Sequence, residues 1–431
     1  MTITRFLSCT AVIFLLSFYD TNAQSLSQND QNELGQYLHM QVAAEAVPGM
    51  VVMVANKKKV IYKSAVGFNS ISNNDTLLID DIFNIASMTK AITSVVIMQL
   101  YEQGRIGLDD EAQKYLPKIG DMQVISTFNQ TDTTFTTRPL DHPITIRQLL
   151  THTSGIGYPF CNDTLAMISE KRKNEQSSSS YLDFPLLHEP GIYWTYGMST
   201  DVLGDIIEKI TDTLIDKYYS ERIFKPLGMV NTFYTVPTDK YNRLTNFYDH
   251  VNGEYKERPS NGTDKPILKG GNGLYSTAED YTKFLQMLLN KGTFNGIKIL
   301  SKTSVNEMTK NQIGDLFVDT QKGALPGLSN DFPARAGKDK YGLGFVIRTA
   351  TDYDIIKRNP GSYDWAGLFN TYYWVDPAAG ITVVVMMQVR PFYDDACINT
   401  LNDFEKSLYQ HLNKTNPIAS LSGKPLYQNF R

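Results

Sequence analysis

Ser87 and Lys90 stand three residues apart in Asn84-Ile85-Ala86-Ser87-Met88-Thr89-Lys90. On a helix that spacing puts both side chains on one face, a turn apart, so hydroxyl and amine can meet. A serine at a helix start also has free backbone N–H groups and the positive end of the dipole beside it, which favour developing negative charge. The apolar neighbours Ala91, Ile92, Val95 and Val96 strip water from the lysine, and a desolvated amine can accept a proton. Taken alone, the pair also reads as a capping serine followed by a surface lysine.

Two further elements change that weighting. Pro190-Gly191 leads into a stretch, 193–204, that sets Tyr196 on a turn entering a helix. A phenol there can point into a cleft, and beside an ammonium its phenolate can serve as general base. The third element is Trp365-Ala366-Gly367, just before a strand expected over Leu368–Val375. Small residues beside a cleft let a backbone N–H face the substrate, as an oxyanion donor must.

Other chemistries drop out. The chain has no G-x-S-x-G, H-E-x-x-H or C-x-x-C, so an α/β-hydrolase elbow, a zincin helix and a thioredoxin-like site are excluded. His152 and Ser154 tempt a triad reading, but residues two apart point away from each other on a helix. Thr151–Gly155 reads as a structural turn. The six histidines are scattered, and no metal site or organic cofactor is expected.

The elements that must position these residues follow from periodicity. An amphipathic helix is expected over Ser27–Val47, then a hairpin of Met50–Val54 and Val60–Val66, then a long helix over Phe83–Gln103. Shorter helices are expected at Ile146–Leu150, Thr200–Thr211 and Asp212–Ile223. Ala278–Leu289 is entered from Ser276-Thr277, with Glu279 and Asp280 in its first turn. Ile313–Lys340 reads as a long loop, and Lys171-Arg172-Lys173 with Ser177–Ser180 as a solvated one. Strands return at Gly342–Thr349, Leu368–Val375 and Gly380–Gln388, and a last helix spans Tyr393–Leu412. Strands at both chain ends suggest one sheet built from both, with a mainly helical insertion over about 110–260 capping it. A cleft between the two is the natural place for a site.

Composition agrees with a globular enzyme. Of 431 residues, 41 are Lys or Arg and 45 Asp or Glu, a formal net charge of −4, which offers no cationic surplus to a nucleic acid. Residues 1–23 read as a signal peptide: the apolar run Phe6–Tyr19 is too short to span a bilayer, which takes about 20 residues. A mature chain starting near Gln24, secreted or periplasmic and without a membrane span, is expected. Residues 24–415 are expected to form the folded domain that carries the site, and 416–431 a C-terminal tail. The compartment permits a bridge between Cys161 and Cys397, but their spacing does not decide it.

Together, in this order, the motifs resemble those of the serine β-lactamase and penicillin-binding-protein superfamily, and more closely its class C-like branch, which also holds esterases and D-amino-acid peptidases. Supporting stretches are Thr145–Gly155, Gly270–Thr277, Tyr341–Phe345 and Trp374–Gly380, and the resemblance covers about Val47 to Gln388. It implies an α+β, β-lactamase/transpeptidase-like fold: an antiparallel sheet from both chain ends, flanked by helices, with the helical insertion. It implies Ser87 as the acylated serine, Lys90 as its activator and Tyr196 as the tyrosine of a Tyr-x-Asn element, with either Lys90 or Tyr196 taking the proton. The N–H groups of Ser87 and Leu368 match the oxyanion donors.

Two positions depart from the pattern. Met198 stands where the second motif has Asn, and Trp365 stands where the third motif, continued here by Ala366 and Gly367, starts with Lys. The cation that pairs with a substrate carboxylate is therefore missing, a loss of about 1.5–3 kcal/mol. The resemblance leans toward a carboxylesterase acting on a small-molecule ester. A D-alanyl-D-alanine carboxypeptidase or weak β-lactamase on peptide-like substrates is the alternative within the class. A non-catalytic binding or sensor module is the alternative outside it.

Overall fold

The computed structural model describes residues 24–173, 180–260, 266–333, 335–349 and 357–414. The segments read as signal peptide and C-terminal tail lie outside these. Eight strands make one antiparallel sheet: β1 (Gly49–Asn56), β2 (Val60–Ser70), β3 (Asp75–Thr76), β4 (Lys340–Tyr341), β5 (Val346–Ile347), β6 (Tyr363–Gly367), β7 (Thr371–Asp376) and β8 (Ile381–Met386). Their order across the sheet is β4-β5-β6-β7-β8-β1-β2-β3. The two chain ends meet at its centre, where Val51 lies opposite Met386 and Asn56 opposite Ile381. Every residue of β1 and β8 is buried, so both read as unbroken apolar runs rather than alternating ones.

Helices cover both faces. On one lie α1 (Gln28–Ala43) and α5 (Asp395–Lys414), joined by a hydrogen bond from the Tyr37 hydroxyl to Thr400 O. Ser27 and Asp30 cap α1 reciprocally, and Trp374 of β7 donates its indole N–H to Tyr409 of α5 at 3.3 Å. The other face carries α4 (Ala278–Leu289), whose Tyr281 ring lies 5.2 Å from Tyr373 of β7. Beside it runs α2 (Thr89–Glu102), buried from Thr89 to Leu100, as a helix that is apolar nearly all round must be.

Residues 110–260 are rich in helix, including Ile146–Leu150 and α3 (Ser199–Thr211). They also hold two hairpins, Gln123–Phe128 with Phe135–Pro139 and Phe247–Val251 with Glu254–Arg258. Lys171–Lys173 end a helix that begins at Asp163 rather than lying in a loop; residues 177–179 of the serine run are outside the described residues. Cys161 and Cys397 are both buried free thiols.

Among the boundaries that differ from the sequence reading, three move because the backbone turns left-handed. The α-helix expected from Phe83 begins at Thr89: Phe83–Asn84 pairs instead with Tyr275–Ser276, and Ala86 has φ +40°, outside the right-handed α region. Leu368, expected to open a strand, sits in the turn between β6 and β7, where Asn370 has φ +54°. Trp365–Gly367, expected to precede a strand, are therefore the end of one. The strand expected over Gly342–Thr349 shrinks to Val346–Ile347, because Gly344 (φ +97°) closes a turn.

Candidate active site

Ser87 is the middle residue of a single 3₁₀ turn, Ala86–Met88, leading into α2. The positive φ of Ala86 just before it is rare for a residue with a Cβ, the kind of strain that persists where the surroundings over-determine it. Those surroundings are visible. Ala86 N donates to Asn84 Oδ1 at 3.0 Å and Ile85 N to Leu274 O at 3.0 Å. The end of β6 presses so close that a Cβ on Gly367 would lie 2.4 Å from Ile85 O. Only glycine fits there. Within Ile85–Lys90, Ser87 alone is not fully buried.

The three side chains expected to act together do meet. Tyr196 OH lies 2.7 Å from Ser87 Oγ, and Lys90 Nζ lies 3.3 Å from the same oxygen. Lys90 is 1% exposed and also donates to Gly271 O at 2.9 Å and to Tyr158 OH at 3.2 Å. Its ammonium lies 4.8 Å from the Tyr196 ring centroid and 5.2 Å from that of Tyr158, within cation–π range. The buried Asp201 carboxylate accepts from Gly271 N at 2.8 Å, which fixes the loop that offers Gly271 O to the lysine.

Two tyrosines thus flank Lys90 in different settings. Burial, and then the nearby Asp201, push the Tyr158 phenol well above its ordinary pKa, so it stays protonated and serves as an oxygen partner for the ammonium. Tyr196 instead reaches the serine. Its ring is packed by His152 at 5.0 Å, Tyr158 at 5.3 Å, Trp365 at 5.0 Å and Phe332 at 5.8 Å, and its backbone N–H donates to Gln321 at 3.0 Å. His152 is held neutral by burial and by the charge of Lys90. It packs behind the tyrosine, while Ser154 bonds Ser199 at 2.8 Å; neither belongs to a triad.

Ser87 and Tyr196 open into a recess that Trp365, Ala366, Gly367 and Leu368 also line. Met198, expected to touch substrate, is buried as the N-cap of α3 and does not line it. Trp365 is 8% exposed and packs on Tyr196 and Tyr341. Among the described residues lining the recess, no unpaired cation replaces the missing lysine. Arg348 spends Nε on Asp364 at 2.9 Å and Nη1 on Asp339, while Arg335 pairs with Asp339 at 3.0 Å. Among the described residues no cluster of His, Cys, Asp and Glu could hold a metal ion.

Sequence reasoning missed Tyr158, Asp201 and Gln321. Gly271 enters the sequence reading only within the supporting stretch Gly270–Thr277, with no sign of its contact to Lys90. Tyr158 stands 68 residues beyond Lys90, in no local pattern that would tie it to a lysine.

The family profile described as Beta-lactamase matches residues 34–407. The chain is 26% identical over 397 residues to ML-236A carboxylate methylbutanoyltransferase of Penicillium citrinum, covering 86% of this chain and 92% of that protein. It is 26% identical over 375 residues to lovastatin esterase of Penicillium rubens, covering 81% and 91%. Its fold superposes on the LovD6 mutant of simvastatin synthase from Aspergillus terreus with a TM-score of 0.75 at 25% identity, over 90% of this chain and 99% of that one. A serine on a strained turn, bonded to a tyrosine and a buried lysine, is thus housed in a fold shared with an esterase and an acyl-transferring enzyme. The chain belongs to the beta-lactamase family, within the serine β-lactamase and penicillin-binding-protein superfamily, and is an enzyme of the serine hydrolase and acyl-transfer class.

Proposed function

We propose that this enzyme is a carboxylesterase for uncharged esters, working through an acyl-enzyme on Ser87. The observation that carries the reading is the surface facing Ser87: an indole and phenyl rings where a carboxylate-binding cation would stand, with Arg335 and Arg348 already paired to carboxylates. The relatives named as esterase and acyl transferase support the same chemistry.

The steps follow from the distances. Tyr196, at 2.7 Å the nearer of the two candidate bases, takes the Ser87 proton as Oγ attacks the ester carbonyl. The ammonium of Lys90, beneath the tyrosine ring, stabilises the phenolate that frees the site to accept that proton. The backbone N–H groups of Ser87 and Leu368 receive the oxyanion. Tyr196 then returns the proton to the departing alcohol, and water attacks the acyl-enzyme by the same route. The apolar run Phe6–Tyr19 supports our proposal that the chain is exported and acts outside the cytoplasm; fractionating cells that express the full chain checks this.

The deciding measurement is intact mass after a fluorophosphonate, with a penicillin in parallel. Labelling by the fluorophosphonate alone, abolished in Ser87→Ala, is expected. Labelling by both favours the peptidase or lactamase, and labelling by neither a binding module. Ser87→Ala should also abolish hydrolysis of short aryl esters with the thermal midpoint nearly unchanged. Residual activity above about a hundredth would remove Ser87 from the nucleophile role.

A further inference from the structure

The recess does not stop at Ser87. β5 pairs with β6 only as far as Val346 opposite Asp364 and Ile347 opposite Tyr363, so the β6 edge from Trp365 to Gly367 is unpaired on that side. Past this edge the recess leaves the catalytic face, where Trp365 packs on Tyr196, and reaches the face covered by α5, where Ile398 and Leu401 line it. Its wall is a relay of rings. Phe332 lies 5.8 Å from Tyr196, Phe392 lies 5.0 Å from Phe332, and Tyr372 stacks on Phe392 at 6.2 Å.

Arg348, Asp364 and Arg358 also line it, and both arginines are paired with carboxylates in or behind the wall. Asp364 binds Arg348 at 2.9 Å and Arg358 at 3.0 Å; Arg358 binds Glu405 at 2.8 Å; Arg348 and Arg335 share Asp339. Three arginines alternate with three carboxylates, and Nε, Nη1 and Nη2 of both Arg348 and Arg358 each face a carboxylate. An anionic ligand entering here meets, among the described residues of the wall, only arginines already held by carboxylates, and its desolvation goes uncompensated.

We infer that this recess holds the alcohol half of the substrate, and that it selects apolar, uncharged alcohols. The inference rests on the esterase reading above and adds which half of the ester goes where. The ring relay begins at Tyr196, the residue that returns a proton to the leaving oxygen, so the group carried by that oxygen is the one led into the recess. The same site serves the reverse direction. An alcohol bound there attacks the acyl-enzyme carbonyl: its O–H proton passes to Tyr196, a new C–O ester bond forms, the C–Oγ bond breaks, and Ser87 Oγ recovers the proton. Acyl transfer to an apolar alcohol then competes with hydrolysis.

The test uses the whole enzyme and alkyl acetates from ethyl to hexyl, with kcat/KM read from acid release. All share one acetyl-enzyme, so chain-length effects report the alcohol site. A buried methylene is worth roughly threefold to fourfold, and hexyl acetate should exceed ethyl acetate at least tenfold. The carboxylate-tailed 6-acetoxyhexanoate should do no better than ethyl acetate. Ile398→Trp, at a partly buried position, should lower the hexyl-to-ethyl ratio about fivefold, and Leu401→Ala should shift the preference to longer alcohols. Both read-outs are ratios, which a general loss of folded protein does not move. Equal kcat/KM along the series overturns the inference, as does a faster 6-acetoxyhexanoate. So does an Ile398→Trp effect confined to a series of ethyl esters with lengthening acyl chains. Acetates left untouched, or hydrolysed equally by Ser87→Ala, would instead sink the esterase reading itself.

Discussion

Ser87 Oγ has two neighbours able to move its proton, and the 2.7 Å and 3.3 Å contacts rank them. Tyr196→Phe removes the nearer oxygen while keeping the ring that packs among His152, Tyr158, Phe332 and Trp365. It should cut kcat by the ~10²–10⁴ typical of lost acid–base catalysis and leave KM little changed. An effect confined to KM would mean the phenol only lines the site and Lys90 works alone. Tyr158→Phe makes the complementary test. That hydroxyl touches Lys90 but not Ser87, so its loss leaves one ammonium N–H without its oxygen and should lower kcat about tenfold, a charged hydrogen bond being worth about 1.5–3 kcal/mol. If Tyr158→Phe proved as damaging as Tyr196→Phe, the two tyrosines would have been assigned the wrong way round.

At the scale of elements, the segment that delivers Ser87 shows what a sequence can and cannot reveal. The body of α2 was legible because an apolar run that long has few alternatives. Its start was not, because the positive φ of Ala86 is imposed from far along the chain, by Leu274 O and by the close approach of Gly367. Likewise the β6–β7 boundary hinges on Asn370 in a left-handed turn, and the residues on either side of it read equally well as strand. Upstream, the turn Leu78–Asp81 leads into Phe83, and its carboxyl is a pH-sensitive part. Asp81 is 2% exposed and accepts from Leu78 N at 2.7 Å. Burial, with Asp80 and Asp75 adding and the Leu78 N–H bond and then Arg243 opposing, pushes its pKa up to about 7 from 3.8. The folded state thus holds a proton that the unfolded chain releases near pH 4. This contribution to stability is complete below pH 4 and is lost as pH rises to about 7, at up to about 1.4 kcal/mol per unit. Asp81→Asn keeps an acceptor and drops the titration. Its unfolding free energy relative to wild type should grow more favourable from pH 5 to pH 7.5. A difference that stays flat would show that Asp81 titrates alike in both states.

For the whole molecule, substrate class comes down to where positive charge is allowed to stand free. The formal net charge is −4, so no long-range field draws in an anion. Near the site, Arg335, Arg348 and Arg358 are each committed to Asp339, Asp364 or Glu405, and the position that could carry a free cation carries Trp365. Restoring it tests whether that single site decides the class. Trp365→Lys should raise kcat/KM for a carboxylate-bearing β-lactam such as nitrocefin, or for a D-Ala-terminated depsipeptide, while neutral aryl esters gain nothing. The expected gain is modest, about tenfold, because a flexible ammonium replaces an indole packed against Trp194, Tyr196 and Tyr341 and leaves space unfilled. The same loss of packing should lower the thermal midpoint, so rates must be normalised to folded protein. A wild type that already hydrolyses carboxylate substrates as well as neutral esters would show that one of the paired arginines can be drawn away from its carboxylate. Equal loss of both activities in the variant would make Trp365 a packing residue that holds Tyr196 in place, and substrate class would then be set further along the recess, by the ring relay and the paired charges near α5.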